Sequence, residues 1–322
     1  MTIGILLVGG MGTRLKPLTN EVPKPMLPIA GIPVTEHQLL AAKKAGITTV
    51  ILATSYLSEI FTPYFGDGSK WGIDLIYAVE EKPLGTGGAI RNAAQLVDLK
   101  NGNEEFVIFN GDVLSSHSIS SQLEFHRANK ADVTLHLIDV ADARAFGCVP
   151  TDESGRVTAF LEKIYNPVTN SINAGCYVFS SQVIKEIPLG EVVSVERETF
   201  PNLVTSGRPV FGYHEQSYWL DIGTPQALFK GSREAVGGEF LIGTDSLVGE
   251  GSIFSGGSSI GKNAKIGARV NISNSIIGDN VSIGDDVQIH DSFVLHSAKV
   301  EAGAIIESRY ISTNENLAIS AN

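Results

Sequence analysis

The chain has 322 residues and a formal net charge of −11, long enough for one or two domains with a sizeable core. That acidity argues against a nucleic-acid partner, whose binders carry a basic face for the phosphate backbone. Two cysteines, Cys148 and Cys176, are too few for a disulfide scaffold and fit a reducing compartment. No apolar run approaches the ~20 residues of a membrane span, and the short run Ile3–Val8 lacks the basic flank of a signal peptide. The cytoplasm is therefore expected, with no membrane partner.

In chain order, IGILLVG (Ile3–Gly9) reads as a buried strand, and the segment LLVGGMGTRLKPLTNEVPKPMLP (Leu6–Pro28) follows from it. The dinucleotide fingerprint fails here, because Leu15 stands where the third glycine belongs, and no P-loop string occurs. Gly9, Gly10 and Gly12 lack side chains, so their backbone N–H groups can turn onto an oxyanion. Thr13 adds a hydroxyl, Arg14 a forked set of donors and Lys24 a point charge. Two cations on one loop point to a polyphosphate, and Pro23, Pro25 and Pro28 stiffen the stretch that carries Lys24.

A helix is expected over VTEHQLLAAKKAG, ending at Gly46, and strands over Thr48–Thr54, Ile73–Val79 and Phe106–Asp112. Such alternation of strands and helices predicts a Rossmann-like, mostly parallel sheet covered on both faces, in the α/β class. Ligands of such sheets sit at the carboxyl ends of the strands. Three further segments have the right chemistry for that edge. In VEEKPLGTGGAI, Gly85, Gly87 and Gly88 permit close approach, Thr86 can cap a helix, and Glu80 or Glu81 offers a carboxylate. The tip NGD leaves Asp112 at the end of an apolar strand, and YWLDIGT holds Asp221 among apolar residues before another glycine turn. Hard carboxylate oxygens of this kind suit Mg²⁺ beside substrate phosphates, although a lone strand-end aspartate is equally often a turn residue.

Beyond about residue 131 the strands crowd together and predict a smaller mixed-sheet lobe. There FGC offers Gly147 as a point of close approach. FLEKI would place Glu162 and Lys163 on opposite faces of a strand, as any half-exposed strand does. INAG sets the bifunctional amide of Asn173 before a glycine, which suits a sugar hydroxyl or an ordinary turn.

From Leu241 the pattern changes. Aliphatic–glycine pairs recur at Ile242, Val248, Ile260, Ile266, Ile277 and Ile283, mostly at multiples of six, with the frame slipping by one near 272–277 and again at 289–294. This is the hexapeptide repeat of a parallel β-helix of roughly four coils, in which each aliphatic points inward and the small residue beside it permits the corner. The expected organisation is one domain over 1–235 and a β-helix over 241–322.

Taken together, VGGMGTRLKPLTNEVPKPMLPIAGIP, EEKPLGTGGAI, NGDVL, FGCVP, FLEK, INAGCYVF, SVERETFP and YWLDIGTP resemble, in this order, the sugar-phosphate nucleotidyltransferases, most of all their mannose-1-phosphate guanylyltransferase (GDP-mannose pyrophosphorylase) branch. A short left-handed β-helix after the catalytic domain belongs to that architecture. The resemblance implies transfer of a nucleoside monophosphate from a triphosphate, GTP by preference, to a sugar 1-phosphate, mannose 1-phosphate by preference, with release of pyrophosphate. It assigns Gly9, Gly10, Gly12, Thr13 and Arg14 to the nucleotide, and Gly147, Glu162, Lys163 and Asn173 to the sugar phosphate; Glu80, an acceptor-only carboxylate that matches guanine's adjacent N1–H and N2–H, is expected at the base, with Glu81 as its rival and Gly85 and Thr86 also at the nucleotide. Asp112 and Asp221 fall to Mg²⁺, and Arg14, Lys24, Lys163 and the two aspartates to catalysis. A β-helix commonly supplies an interface, so homo-oligomerisation through it is expected. One departure is Ile164, where the family usually has proline. The same residues leave room for a glucose-1-phosphate enzyme using UTP or dTTP, or for a nucleotide-sugar-sensing regulatory subunit. Acyl transfer by the β-helix would need His290 or His296 as a base.

Overall fold

The computed structural model describes residues 1–55, 58–97 and 104–319. The chain forms two compact units that do not follow chain order. One takes Met1–Gly10 and His37–Trp219; the other takes Met11–Glu36 and the chain from Leu220 onward.

The first unit is built on a nine-stranded sheet. Its strands are β1 (Thr2–Leu7), β2 (Thr49–Thr54), β3 (Asp74–Val79), β4 (Glu105–Asn110), β5 (Val133–Asp139), β6 (Gly147–Cys148), β7 (Leu161–Glu162), β8 (Ser171–Ser180) and β9 (Val210–His214). The order is β7-β6-β8-β4-β1-β2-β3, with β5 on β8 and β9 on β5. β4, β1, β2 and β3 are mutually parallel, and β8 runs antiparallel to β4 and β5. The central strands are apolar on both faces because both are covered: Ile3, Ile5, Ile51, Phe106, Ile108, Tyr177, Phe179 and Phe200 share one core. Helix α1 (Val34–Lys44), α2 (Gly85–Ala94) and α3 (Ile119–Ala128) complete the alternation. The strands after residue 131 do not make a separate lobe. β5 and β8 extend the central sheet, since β8 offers one edge to β4 and the other to β5.

In the second unit, α4 (Pro225–Val236) starts at Thr224, whose Oγ1 accepts from Ala227 N at 3.2 Å, and stops at Gly237 in the left-handed region. Pro28–Ile29 and Ile32–Pro33 pair as a hairpin closed by Ala30 and Gly31, both at positive φ. Ser232 of α4 ties the unit together: its Oγ accepts from Ala30 N at 3.2 Å and lies 3.3 Å from Ser259 Oγ.

After α4 the chain winds into three stacks of short parallel strands, headed by Phe240–Ile242, Leu247–Val248 and Ile253–Ser255, as a left-handed β-helix requires. Ile260, Ile266, Ile272, Ile277, Ile283, Ile289 and Val294 fill its interior. Leu247 pairs with Lys265, 18 residues on, whereas Lys265 pairs with Ser282 and Ser282 with Lys299, 17 on. The two slips in the sequence frame are thus shortened corners.

Many of the corners are turned by Asn or Asp, as at Asp245, Asn263, Asn274, Asn280 and Asp291, at φ between 43° and 62°, residue types that tolerate this region; Arg269, Ser297 and Ser308 take the same region. The glycine beside each aliphatic has another cause. A Cβ on Gly278 would lie 2.6 Å from His296 N, and one on Gly243 would lie 2.5 Å from the Gly261 carbonyl carbon. Glycine is there so that one coil can stack on the next. Among the described residues no helix is long and apolar enough to cross a membrane.

Gly278→Ala should therefore destabilise the second unit by about 1–3 kcal/mol, the usual cost of overpacking. Gly238, with nothing within 4 Å of its built Cβ, should accept alanine without loss. Denaturant midpoints of the two variants check this.

Candidate functional site

The residues singled out from sequence fall into two sets, one in each unit. In the first unit Gly9 and Gly10 leave the end of β1. The Ser55 hydroxyl donates to Gly9 O at 2.7 Å, and a Cβ on Gly9 would sit 2.6 Å from Ser55 Oγ, whereas a Cβ on Gly10 would meet nothing within 4 Å. The Asn110–Asp112 tip lies at the carboxyl end of neighbouring β4. Gln38 Nε2 braces it by donating to both Asn110 O and Val113 O at 2.8 Å. Gly111 N donates to Leu7 O at 3.1 Å, so the two strand ends are fastened to each other. Asp112 is half-buried.

Glu80 follows β3. Its Oε2 accepts from Leu84 N at 3.3 Å, its Oε1 is buried without a partner among the described residues, and burial raises its pKa. Glu81 is exposed. The glycines after them serve the fold. A Cβ on Gly85 would lie 2.6 Å from Val193 O, and Gly87 N donates to the same oxygen at 2.8 Å. Thr86 does not cap α2, which begins at Gly85 with no side-chain cap. Its hydroxyl instead donates to Glu196 Oε2 at 2.8 Å and accepts from Val195 N at 2.9 Å.

The sugar-phosphate candidates gather around β6, β7 and a bulge in β8. Gly147 pairs with Glu162 across β6 and β7, and a Cβ on Gly147 would meet Glu162 Oε2 at 2.8 Å. Glu162 and Lys163 are not on opposite faces: β7 ends at Glu162, Lys163 turns at φ 51°, and its Nζ comes to 3.4 Å from Glu162 Oε1. A residue before proline is pushed toward the extended region, so Ile164 leaves Lys163 free to take this turn.

In β8 the register shifts between Asn173 and Tyr177, with Gly175 at φ 77°, a bulge that re-aims side chains. Asn173 Oδ1 accepts from Gly175 N and its Nδ2 donates to Tyr177 Oη, both at 3.1 Å. Tyr177, fully buried, donates in turn to Asn110 Oδ1 at 3.1 Å. Burial drives its pKa well up, so it stays a phenol. This buried link between the Asn173 bulge and the Asn110 tip escaped the sequence reading, as did Glu196. In sequence both look like ordinary core and surface residues.

In the second unit Gly12, at φ 59°, opens a short turn over Thr13–Leu15. Thr19 Oγ1 donates to Gly12 O at 2.9 Å, and a Cβ on Gly12 would crowd Thr19 and Lys24 at 3.0 Å. Thr13 and Arg14 are exposed, whereas Lys24, between Pro23 and Pro25, is only 7% exposed. Its Nζ lies 3.9 Å from Asp221 Oδ1. A Cβ on Gly223 would lie 3.3 Å from both Arg14 Nη2 and Asp221 Oδ1. Arg14, Lys24 and Asp221 thus share one small region. His290 and His296 are tied to neighbouring coils: His290 Nδ1 lies 2.6 Å from Ser273 Oγ, and His296 Nδ1 accepts from Asp279 N at 2.8 Å. No cluster of three or more metal-ligating side chains occurs among the described residues.

A mostly parallel α/β sheet with glycine turns and carboxylates at its strand ends, and a chain that gathers two cations about an aspartate, define an anion-handling α/β protein. The chain belongs to the nucleotidyl transferase family, whose profile matches residues 3–236. It is 54% identical over 235 residues to mannose-1-phosphate guanylyltransferase of Mycobacterium tuberculosis, covering 73% of this chain and 64% of that protein. It is 37% identical to mannose-1-phosphate guanyltransferase beta-B of Xenopus laevis, covering 70% and 62%. The chain thus spans less than two thirds of the length of these curated relatives. A crystal structure of HddC from Yersinia pseudotuberculosis complexed with GMP-PN superposes with a TM-score of 0.61 at 26% identity, covering 73% of this chain and all of that one. One from Bacillus anthracis, at 24% identity and a TM-score of 0.65, shares the fold.

Tyr177→Phe should leave Asn110 Oδ1 and one Asn173 N–H, both half-buried, without their partner. The expected cost is about 1–3 kcal/mol of stability, read by chemical denaturation against wild type.

Proposed function

We propose that the chain is a mannose-1-phosphate guanylyltransferase, joining GTP to mannose 1-phosphate to give GDP-mannose and pyrophosphate, with residues 1–235 as its catalytic part. The observation that carries this reading is the grouping of Arg14 and the buried Lys24 around Asp221. A polyanion is the natural occupant of such a place, since charges exert more force where water is excluded. The named relatives above support the choice of sugar and base.

The attacking group is a phosphate oxygen of the sugar phosphate. It is already an anion, so neither a general base nor a covalent nucleophile is required. It forms a bond to the α-phosphorus as the bond from that phosphorus to the bridging oxygen breaks, and the electron pair leaves with pyrophosphate. The difficulty is repulsion between two anions, and the chain meets it by positioning and charge. Gly9, Gly10, Gly12 and Thr13 hold the triphosphate, Arg14 its outer phosphates, and Lys24 the α-phosphate. Lys163 neutralises the sugar phosphate. Gly147 leaves room for the sugar, and Glu162 and the remaining N–H of Asn173 take its hydroxyls.

Asp112 and Asp221 are hard oxygen donors, half-buried, and fit Mg²⁺; when bound the ion supplies further neutralisation of phosphate charge. Glu80 suits guanine because a carboxylate only accepts, and guanine offers N1–H and N2–H side by side. Its unpartnered Oε1 supports that choice over exposed Glu81, and Gly85 and Thr86 form the adjoining turn. A cytoplasmic setting, with Cys148 and Cys176 as free buried thiols, and self-association through the β-helix belong to the same reading.

The test is a panel of GTP, UTP and dTTP against mannose and glucose 1-phosphates, scored by magnesium-dependent pyrophosphate release. GTP with mannose 1-phosphate should lead; release with none of the pairs would end the proposal. Arg14→Ala should lower kcat by ~10²–10³, the usual loss of one such donor. Glu80→Gln should shift preference from GTP toward UTP or dTTP, measured as the ratio of kcat/KM values; an unmoved ratio would remove Glu80 from base recognition.

A further inference from the structure

The segment that carries Arg14 and Lys24 is held from the far end of the chain. The last two strands of the β-helix, Arg309–Ile311 and Asn316–Ala318, pair antiparallel, and the turn between them reaches Asn20 and Glu21. Ser312 Oγ donates to Glu21 Oε1 at 2.7 Å and accepts from Asn314 N and Glu315 N at 3.1 and 3.0 Å. Glu315 Oε2 accepts from Asn20 Nδ2 at 3.1 Å. Tyr310 is fully buried beside both carboxylates, and burial, helped by Glu21 and Glu315, raises its pKa.

The gripped pair lies in sequence between the two cations, in a stretch braced by short-range bonds. Asn20 N donates to Pro17 O at 3.0 Å, Leu18 N to Leu15 O at 2.9 Å, and Thr19 Oγ1 to Gly12 O at 2.9 Å. On the other side Val22 and Pro23 are buried and lead directly into Lys24. The stretch has only two single-turn 3₁₀ helices of its own, which give poor hydrogen-bond geometry and little rigidity. Contacts that span 291 and 295 residues supply what local structure does not.

We propose that Ser312 and Glu315 are positioning residues for nucleotidyl transfer: the terminal turn of the β-helix, through Glu21 and Asn20, fixes the shape in which the Arg14–Lys24 segment meets the triphosphate. The inference rests on the reading of that segment as the triphosphate holder. It gives the β-helix a part in the chemistry of its own chain.

The full-length protein is compared as Glu315→Ala, Asn20→Ala, the double variant and Glu315→Gln, which keeps an acceptor for Asn20. Displacement of reacting groups by about 1 Å can cost up to ~10² in rate, so each alanine variant should lose about 5–50-fold in kcat. KM for mannose 1-phosphate should hold within about twofold on the same argument. The double variant should be no worse than the poorer single, since one contact is removed, and Glu315→Gln should recover most of the loss. Hydrogen exchange of amides 12–26 reads the shape without reference to activity, and should quicken in Glu315→Ala. Unchanged exchange, unchanged kcat, strictly additive losses, or a loss that Glu315→Gln fails to recover would each overturn the inference. Quickened exchange in Glu315→Ala together with a wild-type protein that releases no pyrophosphate would leave the fastening standing and sink the function on which its catalytic meaning rests.

Discussion

A buried ammonium is the constraint on which the rest of the second unit turns. Lys24 sits almost out of solvent, with Asp221 Oδ1 3.9 Å from its Nζ. Keeping a charge in such a place is costly unless other groups compensate. The surrounding sequence explains how the chain keeps it there. Pro23 and Pro25 fix the backbone on either side, the Thr35 hydroxyl donates to Pro25 O at 3.0 Å, and Val34 N donates to Leu27 O at 3.2 Å. The segment is rigid by proline and by cross-bracing rather than by regular secondary structure. On the proposed reading, an anion arriving there meets a cation that has little water to give up, which is how preorganised sites gain their force.

The same economy of local means explains what could be read from sequence and what could not. The apolar run of β1, the glycines after it and the carboxylate at the tip of β4 are local signals, and each lies where its pattern places it. The β-helix was legible down to the slipped frame, because stacking registers every coil on the one before. Thr86 and Lys163 were misplaced for a shared reason. A hydroxyl near a helix start looks like a cap, and a residue after an apolar–charged pair looks like the next step of a strand. In both cases a distant partner decides, Glu196 for Thr86 and Phe146 O for Lys163, whose N donates to it at 3.1 Å. Local pattern carries no trace of either. The grouping of Met11–Glu36 with the β-helix was invisible for the same reason.

Glycine shows how one residue type answers several demands. At Gly12 it supplies a positive φ, at Gly85 both a positive φ and room for Val193 O, and at Gly278 only the room for another coil. At Gly10 the structure asks for none of these, since a Cβ there would meet nothing within 4 Å. On the proposed reading, a glycine that packing does not require, standing after a strand end and two residues before Gly12, leaves its missing side chain for a ligand to use.

Base discrimination, on the proposed reading, follows from an unmet acceptor rather than from an added attraction. Burial already disfavours the charged form of Glu80, and Leu84 N engages only one of its oxygens. A guanine edge brings two donors and relieves that cost. Uracil or thymine brings a carbonyl against a carboxylate, leaving two acceptors facing each other and a charge in a partly dry place. Sites that penalise the wrong ligand by leaving polar groups unpaired discriminate far better than sites that only favour the right one. A single carboxylate placed after β3 can thus set nucleotide choice while the phosphate machinery, indifferent to the base, stays common to the whole family.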